Sequence, residues 1–214
     1  MAMEGARAPS RGTVESLDVG RGGRREAILD AALELFVERT YAGTTMDDVG
    51  AAVGVRGPSL YKHVRSKHEL LAELMSRAIR SVQAAHDAAV ATTDDEVERL
   101  RRAMEAHVRF HAHHRLDAYL ANRELASLEG AARHRIMVER KAYERSFLAV
   151  VEAGAAAGRF HVRSPKLTAL ALLDQGTGVA VWYRPDGDLT VDEIAYQYGD
   201  LAVRLVGAEP ASGA

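Results

Sequence analysis

The sequence predicts an all-α protein of about nine helices, arranged as a small N-terminal domain and a larger C-terminal one. Three observations indicate this fold class. Ala, Leu, Glu and Arg dominate the 214 residues and only five prolines interrupt them, which favours helix. Apolar side chains recur at helical spacing along most of the chain. The alternation of apolar and polar residues that is typical of half-buried strands reaches no convincing length.

The composition narrows the classes of protein to consider. Apolar residues make up 47% of the chain and charged residues 27%, so a substantial core is expected. The chain has no cysteine, which excludes disulfides and thiolate metal sites and fits a reducing compartment. The sequence shows neither a signal-peptide core nor an apolar run long enough for a membrane helix, so we expect a soluble, cytoplasmic protein. With a net charge of −2, nucleic acid could be bound only by a local basic patch.

The predicted elements follow in chain order. Residues 1–23 show no apolar period and predict a flexible arm, and residues 209–214 predict a flexible tail. We expect a first domain over residues 24–68 and a second over residues 69–208. Helices are predicted over about 24–39, 45–53, 57–64, 67–92, 94–113, 116–128 and 132–157, and two more begin at Pro165 and Thr190.

Capping and breaking residues justify the boundaries of the early helices. Thr44 is expected to cap the helix over residues 45–53, and Gly54 to end it. Pro58 suits the first turn of the next helix, where its missing N–H has no partner to lose. Ser66 is expected to cap the long helix that follows.

Residues 53–67, VGVRGPSLYKHVRSK, collect positive charge in an otherwise slightly acidic chain. They hold two arginines and two lysines, and no acid lies between Asp48 and Glu69. The two short helices here, joined by a Gly-containing turn, have the lengths of a helix-turn-helix. In that motif the second helix enters the major groove of DNA, and a carboxylate in it would repel the phosphate backbone. A solvated basic face is the alternative, but its coincidence with this helix pair favours DNA binding.

Helical spacing also assigns the faces of the second short helix. Leu60 and Val64 fall on one face and are expected to pack on the first helices. Ser59, Lys62 and His63 then point away from that core, toward DNA.

These residues carry a resemblance to a known family. The stretch TTMDDVGAAVGVRGPSLYKHVRSKHELL is similar to the DNA-binding segment of TetR-family transcriptional regulators, densely so over about residues 26–72. The resemblance implies that phosphates are held by Thr45, Tyr61, His63 and Lys67. It implies that bases are approached by Arg56, Gly57, Pro58, Ser59 and Lys62. Arg56, Pro58 and Val64 replace the common Ser, Gly and Phe, so the operator sequence cannot be inherited from a relative.

The last two helices predict a subunit interface. The final helix carries one long apolar stripe, and the helix before it is apolar nearly all round, with small residues that permit close approach. Two such helices from each of two subunits would form a four-helix interface. The alternative is an internal pair of core helices. The interface residues we predict are Leu170, Leu173, Ile194, Tyr198, Leu201 and Leu205.

Residues 107–114, HVRFHAHH, raise the alternative of a helical metal-dependent enzyme. His107, His111 and His114 fall at i, i+4 and i+7 on one helix face, a spacing that can hold a metal. No carboxylate stands at an obviously supporting spacing, and the phosphate-loop, dinucleotide and GxSxG motifs of common enzymes are missing. We therefore expect pocket-lining or surface histidines, with no metal, no cofactor and no catalysis.

The C-terminal part resembles one subgroup of the TetR family, through FHAHHR, NREL, AAGRFHV and VWYRPDGDLTVDEIAYQYGDL. That subgroup includes repressors of fatty-acid and steroid degradation that leave DNA on binding acyl-coenzyme A thioesters. The resemblance implies a homodimeric, ligand-responsive repressor of a palindromic operator, with an acyl-CoA effector, which we expect to carry a long-chain or polycyclic acyl group. An apolar pocket with Arg and His would suit such a ligand. The candidate lining residues are His107, Phe110, His111, Asn122, Arg123, Tyr143, Phe147, Gln175 and Trp182.

Overall fold

The structure is a computed structural model and describes residues 21–208. All regular structure in this range is helical, in nine α-helices and one 3₁₀ turn, which confirms the predicted fold class. The elements are α1 (Arg21–Arg39), α2 (Met46–Ala52), α3 (Gly57–Leu60), α4 (Lys67–Val90), α5 (Glu96–His113), α6 (Arg115–Arg123), the 3₁₀ turn (Leu125–Ser127), α7 (Gly130–Ala156), α8 (Pro165–Trp182) and α9 (Val191–Leu205).

Several predicted boundaries are corrected. The predicted arm covered residues 1–23, but α1 already begins at Arg21, and the rest of the arm lies outside the described residues, as does the predicted tail. The helix expected over 57–64 ends at Leu60 and continues as turns. The helix expected over 116–128 ends at Arg123 and is followed by the 3₁₀ turn.

The N-terminal helices α1 to α3 pack around one apolar cluster together with the start of α4. Phe36 of α1, Val49 of α2 and Leu60 of α3 are all fully or almost fully buried in it, and Val64 closes it from the following turn. The packing predicted for Leu60 and Val64 is therefore confirmed. The burial of these side chains fixes the orientation of α3 relative to α1 and α2.

Helix α4 runs without interruption from this N-terminal cluster into the larger helical body. It packs on α1 at one end and on α5, α6 and α7 along the rest of its length. Helix α5 is the most central element, because α4, α7, α8 and α9 all pack against it. Ion pairs of Arg101 with Asp200 and of Arg109 with Asp192 hold α9 on α5. No helix between residues 21 and 208 is long and apolar enough to cross a bilayer.

Candidate DNA-binding surface and ligand cavity

The turn between α2 and α3 is set by two glycines. Gly54 has a φ of 66°, the left-handed region that glycine adopts without strain. A Cβ on Gly50 would lie 2.6 Å from the backbone oxygen of Val55, so only glycine lets the turn fold back so closely. The N–H of Val55 donates to the Gly50 carbonyl at 2.8 Å. Together these contacts hold α3 against α2 in a helix-turn-helix.

Most of the residues predicted to approach DNA lie on the outside of α3 and its following turn. Arg56, Ser59 and Lys62 are exposed, as are Pro58 and Tyr61, while Gly57 and His63 are half-buried. Within the part of the chain that the structure describes, the side chains of Arg56, Ser59, Tyr61, Lys62 and His63 make no hydrogen bond or ion pair. Their donors therefore remain free to meet phosphate and base edges.

Thr45 and Lys67 were predicted to contact phosphates. In the structure both make hydrogen bonds that stabilise the fold of this segment. Thr45, not Thr44, caps α2. Its hydroxyl accepts from the Asp48 N–H at 3.1 Å and also contacts the Asp48 carboxylate at 2.6 Å. The ammonium of Lys67 donates to the carbonyls of Tyr41 and Thr44, at 2.7 Å each. Lys67 therefore holds the loop between α1 and α2, with two of its three donors used there.

A cavity of about 170 Å³ lies inside the helical body, between α4, α5, α6, α7 and α8. Half of its lining residues are apolar, and the other half carry polar or charged side chains. Its lining residues are Ala78, Ile79, Val82, His107, Phe110, His111, Ala118, Ala121, Asn122, Arg140, Tyr143, Glu144, Leu170, Leu173, Asp174 and Thr177. Cavities that combine apolar walls with convergent polar groups are typical small-molecule sites.

A hydrogen-bonded chain of side chains forms the inner wall of the cavity. Nε2 of His107 lies 3.1 Å from the Leu173 carbonyl, which can only accept, so Nε2 carries the proton. Nδ1 is then the acceptor, and the Tyr143 hydroxyl donates to it at 2.7 Å. Nδ1 of His111 donates to the backbone oxygen of His107 at 2.8 Å. A Cβ on Gly176 would overlap the His107 ring, so this glycine lets α8 approach it.

Burial keeps both of these histidines neutral. Desolvation lowers the pKa of His107 well below its usual value, and the neighbouring His111 adds to this effect. Desolvation likewise lowers the pKa of His111 to about 4. The pKa of Tyr143 is raised by burial, so its hydroxyl stays protonated and remains a donor. At neutral pH the inner wall therefore presents uncharged groups to the cavity.

The rim of the cavity is charged. Arg140 of α7 donates to the Ala121 carbonyl and to the side-chain oxygen of Asn122, at 3.3 Å each. Desolvation lowers the pKa of Arg140, while nearby Glu144 opposes this shift. Among the described residues neither Glu144 nor Asp174 of the rim forms an ion pair or side-chain hydrogen bond, so the rim offers both donors and acceptors.

Five of the nine predicted lining residues line the cavity: His107, Phe110, His111, Asn122 and Tyr143. Four predictions are corrected. Arg123 is exposed and donates to the Tyr119 hydroxyl at 2.8 Å, outside the cavity. Phe147 is fully buried behind the wall, next to His107. Gln175 and Trp182 lie on the outer side of α8, where Trp182 stacks on Tyr198 with ring centroids 6.5 Å apart.

The histidines whose spacing raised the metal alternative do not form a three-ligand cluster in the described residues. Both ring nitrogens of His107 have hydrogen-bond partners, and His114 lies at the exposed end of α5, stacked on Phe110. No group of three or more His, Asp or Glu in residues 21–208 is arranged to hold a metal ion. The i, i+4, i+7 spacing places His107 and His111 in the cavity wall instead.

Helix α6 lies between the cavity and the N-terminal helices. Ala118 and Ala121 face the cavity from α6. At the start of α6, Asp117 lies 3.9 Å from the guanidinium of Arg77, which also pairs with Glu26 and Asp30 of α1.

At the end of α6, the buried carboxylate of Glu124 accepts from the Tyr41 N–H at 3.3 Å and from the Ser127 hydroxyl at 2.7 Å. Helix α6, which forms part of the cavity wall, is thus hydrogen-bonded to the same loop that Lys67 holds.

Comparison with known proteins decides the family. Residues 28–74 match the family described as bacterial regulatory proteins, tetR family, and residues 93–206 match the tetracyclin repressor-like C-terminal domain. This chain belongs to the TetR family. The transcriptional repressor KstR2 of Rhodococcus jostii is 32% identical over 197 residues, which cover 88% of this chain and 92% of that protein.

Solved structures of TetR-family proteins have the same fold. A regulatory protein from Rhodococcus RHA1 superposes with a TM-score of 0.82 at 30% identity, covering 87% of this chain and 98% of its own. AibR in complex with isovaleryl coenzyme A and operator DNA superposes with a TM-score of 0.76 at 26% identity, covering 87% and 100%. As a TetR-family member the chain is a DNA-binding transcriptional regulator, and the hypothesis of a metal-dependent enzyme is not supported.

The outer face of α8 and α9 of this TetR-family chain remains apolar and uncovered. Its exposed large side chains are Leu167, Val181 and Trp182 of α8 and Leu201 and Leu205 of α9. Of the predicted interface residues, Ile194 is buried within the subunit, while Leu170 and Leu173 line the cavity. Tyr198, Leu201 and Leu205 remain on the outer face with Gln175, where they line a shallow groove.

Proposed function

We propose that this chain is a repressor that binds a palindromic operator as a homodimer and is released from it by an acyl-CoA thioester. The observation that carries the proposal is the double contact of α6, which forms part of the cavity wall and also binds the N-terminal helices through Asp117 and Glu124. The relatives support it, since KstR2 is a repressor and AibR was solved with both isovaleryl coenzyme A and operator DNA.

Operator recognition would depend on the exposed side chains around α3. Arg56 and Lys62 carry charges that base edges and phosphates attract, and Ser59 stands between them on the exposed face. A helix-turn-helix dimer reads two half-sites about 34–36 Å apart, one turn of DNA. The operator should therefore be an inverted repeat with half-sites one helical turn apart.

The homodimer would form through the outer face of α8 and α9. Exposed Leu, Val and Trp side chains on the outer sides of α8 and α9 give this face more apolar surface than the isolated apolar residues of an ordinary surface. The same two helices from a second copy would cover it in a four-helix arrangement with two-fold symmetry. That symmetry matches the symmetry of an inverted-repeat operator.

The effector would act by preferring one arrangement of the DNA-binding helices. A ligand shifts such an equilibrium only by the difference between its affinities for the two arrangements. A ligand that fills the cavity bears on Ala118 and Ala121 of α6, and a shift of α6 changes its contacts with Arg77 and Tyr41. DNA is released if the changed contacts are more stable in the arrangement in which the two α3 helices are not spaced for DNA.

A footprinting and titration experiment tests the proposal. The purified full chain is first used to protect an inverted repeat near its own gene, and binding to that repeat is then followed by fluorescence anisotropy. We expect CoA thioesters to weaken operator binding, and unacylated CoA and cationic aromatic drugs to leave it unchanged. Release by the cationic compounds alone would refute the thioester effector, and a monomer in light scattering at the same concentration would refute the dimer.

A further inference from the structure

We propose that the cavity binds the acyl group of a short CoA thioester, with about six acyl carbon atoms at most, and that Arg140 donates hydrogen bonds to its thioester carbonyl oxygen. The inference rests on the proposed function and adds to it the size of the acyl group and the residue that recognises the carbonyl.

The volume of the cavity limits the size of the acyl group. An engineered apolar cavity of about 150 Å³ takes up one benzene molecule, so the present cavity of about 170 Å³ has room for about six carbon atoms. Behind the lining, Phe147 is fully buried against His107, so a longer acyl chain on that side would have to displace it. A long-chain or polycyclic acyl group would need side chains of the core to move apart.

Arg140 is the group at the rim that lacks a strong acceptor. Its guanidinium has five N–H donors and is partly desolvated, yet its partners are two neutral oxygens, both at 3.3 Å. It makes no ion pair with any residue of the described chain. An acyl chain inserted into the cavity would bring its carbonyl oxygen to the rim, where a charge-assisted hydrogen bond from Arg140 can form.

The two rim carboxylates favour a thioester over a free acid. Glu144 and Asp174 outnumber Arg140, so the rim would repel an additional carboxylate. A thioester carbonyl is neutral, and the pantetheine arm behind it carries amide N–H groups that can donate hydrogen bonds to Glu144 and Asp174. The phosphates of CoA lie at the far end of that arm, beyond the cavity.

Affinity across a series of acyl chains tests the size limit. Isothermal titration calorimetry of the full chain would use CoA and its acetyl, butyryl, isovaleryl, hexanoyl, octanoyl and palmitoyl thioesters. Because each buried methylene contributes about 0.8 kcal/mol, affinity should rise about fourfold per methylene up to about six carbons and no further. A rise that continues to the palmitoyl thioester would overturn the size limit, but would leave the proposed effector class intact. If no thioester binds or releases DNA, the proposed effector itself fails.

A matched pair of arginine variants tests the carbonyl contact. Arg140→Met should bind hexanoyl-CoA about ten- to a hundredfold more weakly, because a hydrogen bond from a charged donor is lost. Arg145→Met is the control, since Arg145 is an exposed arginine on the same helix that does not line the cavity. Equal affinities of the two variants would overturn the assignment. Operator affinity and melting temperature report whether each variant is folded, and Arg140→Gln, which keeps one donor group, should show a smaller loss.

A variant with a larger cavity tests whether the acyl group binds inside the cavity or next to it. Leu170→Ala removes three carbon atoms from the wall, so the best-bound thioester should become longer by about that number. An unchanged chain-length optimum in this variant, in a folded protein that still binds thioesters, would show that the acyl group lies elsewhere.

Discussion

Gly176→Ala should destabilise the protein and damage the cavity, although alanine is the better helix former. Gly176 lies inside α8, where a Cβ would overlap the His107 ring and stand 2.8 Å from its Nε2. The ring is fully buried and bonded on both sides, to the Leu173 carbonyl at 3.1 Å and the Tyr143 hydroxyl at 2.7 Å. It cannot turn away without losing one of these bonds.

The expected magnitude follows from three terms. Overpacking of a core costs about 1–3 kcal/mol, a lost buried hydrogen bond costs about 1 kcal/mol, and replacing glycine by alanine in a helix returns about 1 kcal/mol. Gly176→Ala should therefore lower the free energy of unfolding by about 1–3 kcal/mol. For a chain of this length that corresponds to a fall in melting temperature of about 2–12 °C.

Gly178→Ala is the matched control, two residues along the same helix. Gly178 lies on the face of α8 proposed for the dimer. Within its own subunit a Cβ there has no other heavy atom within 4 Å, so the intrasubunit effect is helix propensity alone and should raise the melting temperature by about 1–4 °C. Thermal unfolding followed by circular dichroism measures both variants, and calorimetry measures their affinity for hexanoyl-CoA. If Gly176→Ala is as stable as Gly178→Ala, the described contact between α8 and His107 is wrong.

Three further predictions concern the DNA-binding loop and the histidines. Lys67→Ala should weaken operator binding and lower the free energy of unfolding by about 1–3 kcal/mol through loss of the loop contacts, while the salt dependence of binding stays unchanged. If instead the salt dependence falls by the equivalent of one phosphate contact and stability is unchanged, Lys67 contacts a phosphate. Glu124→Ala should reduce the effect of the thioester on operator affinity more than it reduces that affinity itself, as anisotropy with and without ligand can measure. The pKa of His111 is about 4 in the folded state and 6.5 in the unfolded state, so the unfolded state binds more protons between these values. The free energy of unfolding should therefore fall by up to about 1.4 kcal/mol per pH unit as the pH drops from 6.5 to 4. A His111→Asn variant with the same pH profile in urea unfolding would contradict this.

The helix-turn-helix was predictable because its determinants are local. Gly54 follows the end of α2, Pro58 lies in the first turn of α3, and the spacing of Leu60 and Val64 assigns the buried face, all within a dozen residues. The role of Lys67 was not local. Its partners in the loop between α1 and α2 lie more than twenty residues away in sequence, and an exposed lysine beside DNA and a lysine bonded to two carbonyls have the same sequence pattern.

The cavity was predictable in part, for a similar reason. Helix α8 is apolar nearly all round, so its periodicity does not distinguish the side facing the cavity from the side facing solvent. Leu170, predicted at the interface, lines the cavity, and Gln175, predicted in the cavity, is exposed. Arg140 was missed, although a signal existed. It stands three residues before Tyr143, hence on the same face of α7 as a residue that was predicted to line the pocket. Arg123 adjoins Asn122 in sequence, but its side chain is exposed and bonded to the Tyr119 hydroxyl outside the cavity.

The polar contacts of α6 with the N-terminal helices suit a switch because they are weak. The hydrogen bond from the Tyr41 N–H to Glu124 is long, at 3.3 Å, and the Arg77–Asp117 pair spans 3.9 Å, so breaking both costs about 1–3 kcal/mol. A coupling energy of that size changes operator affinity by about fivefold to 150-fold. Burying an acyl chain of about six carbons supplies more than this, at about 0.8 kcal/mol per methylene. The cavity can therefore be small and still release DNA, provided that its ligand displaces α6 and not merely the side chains at the rim.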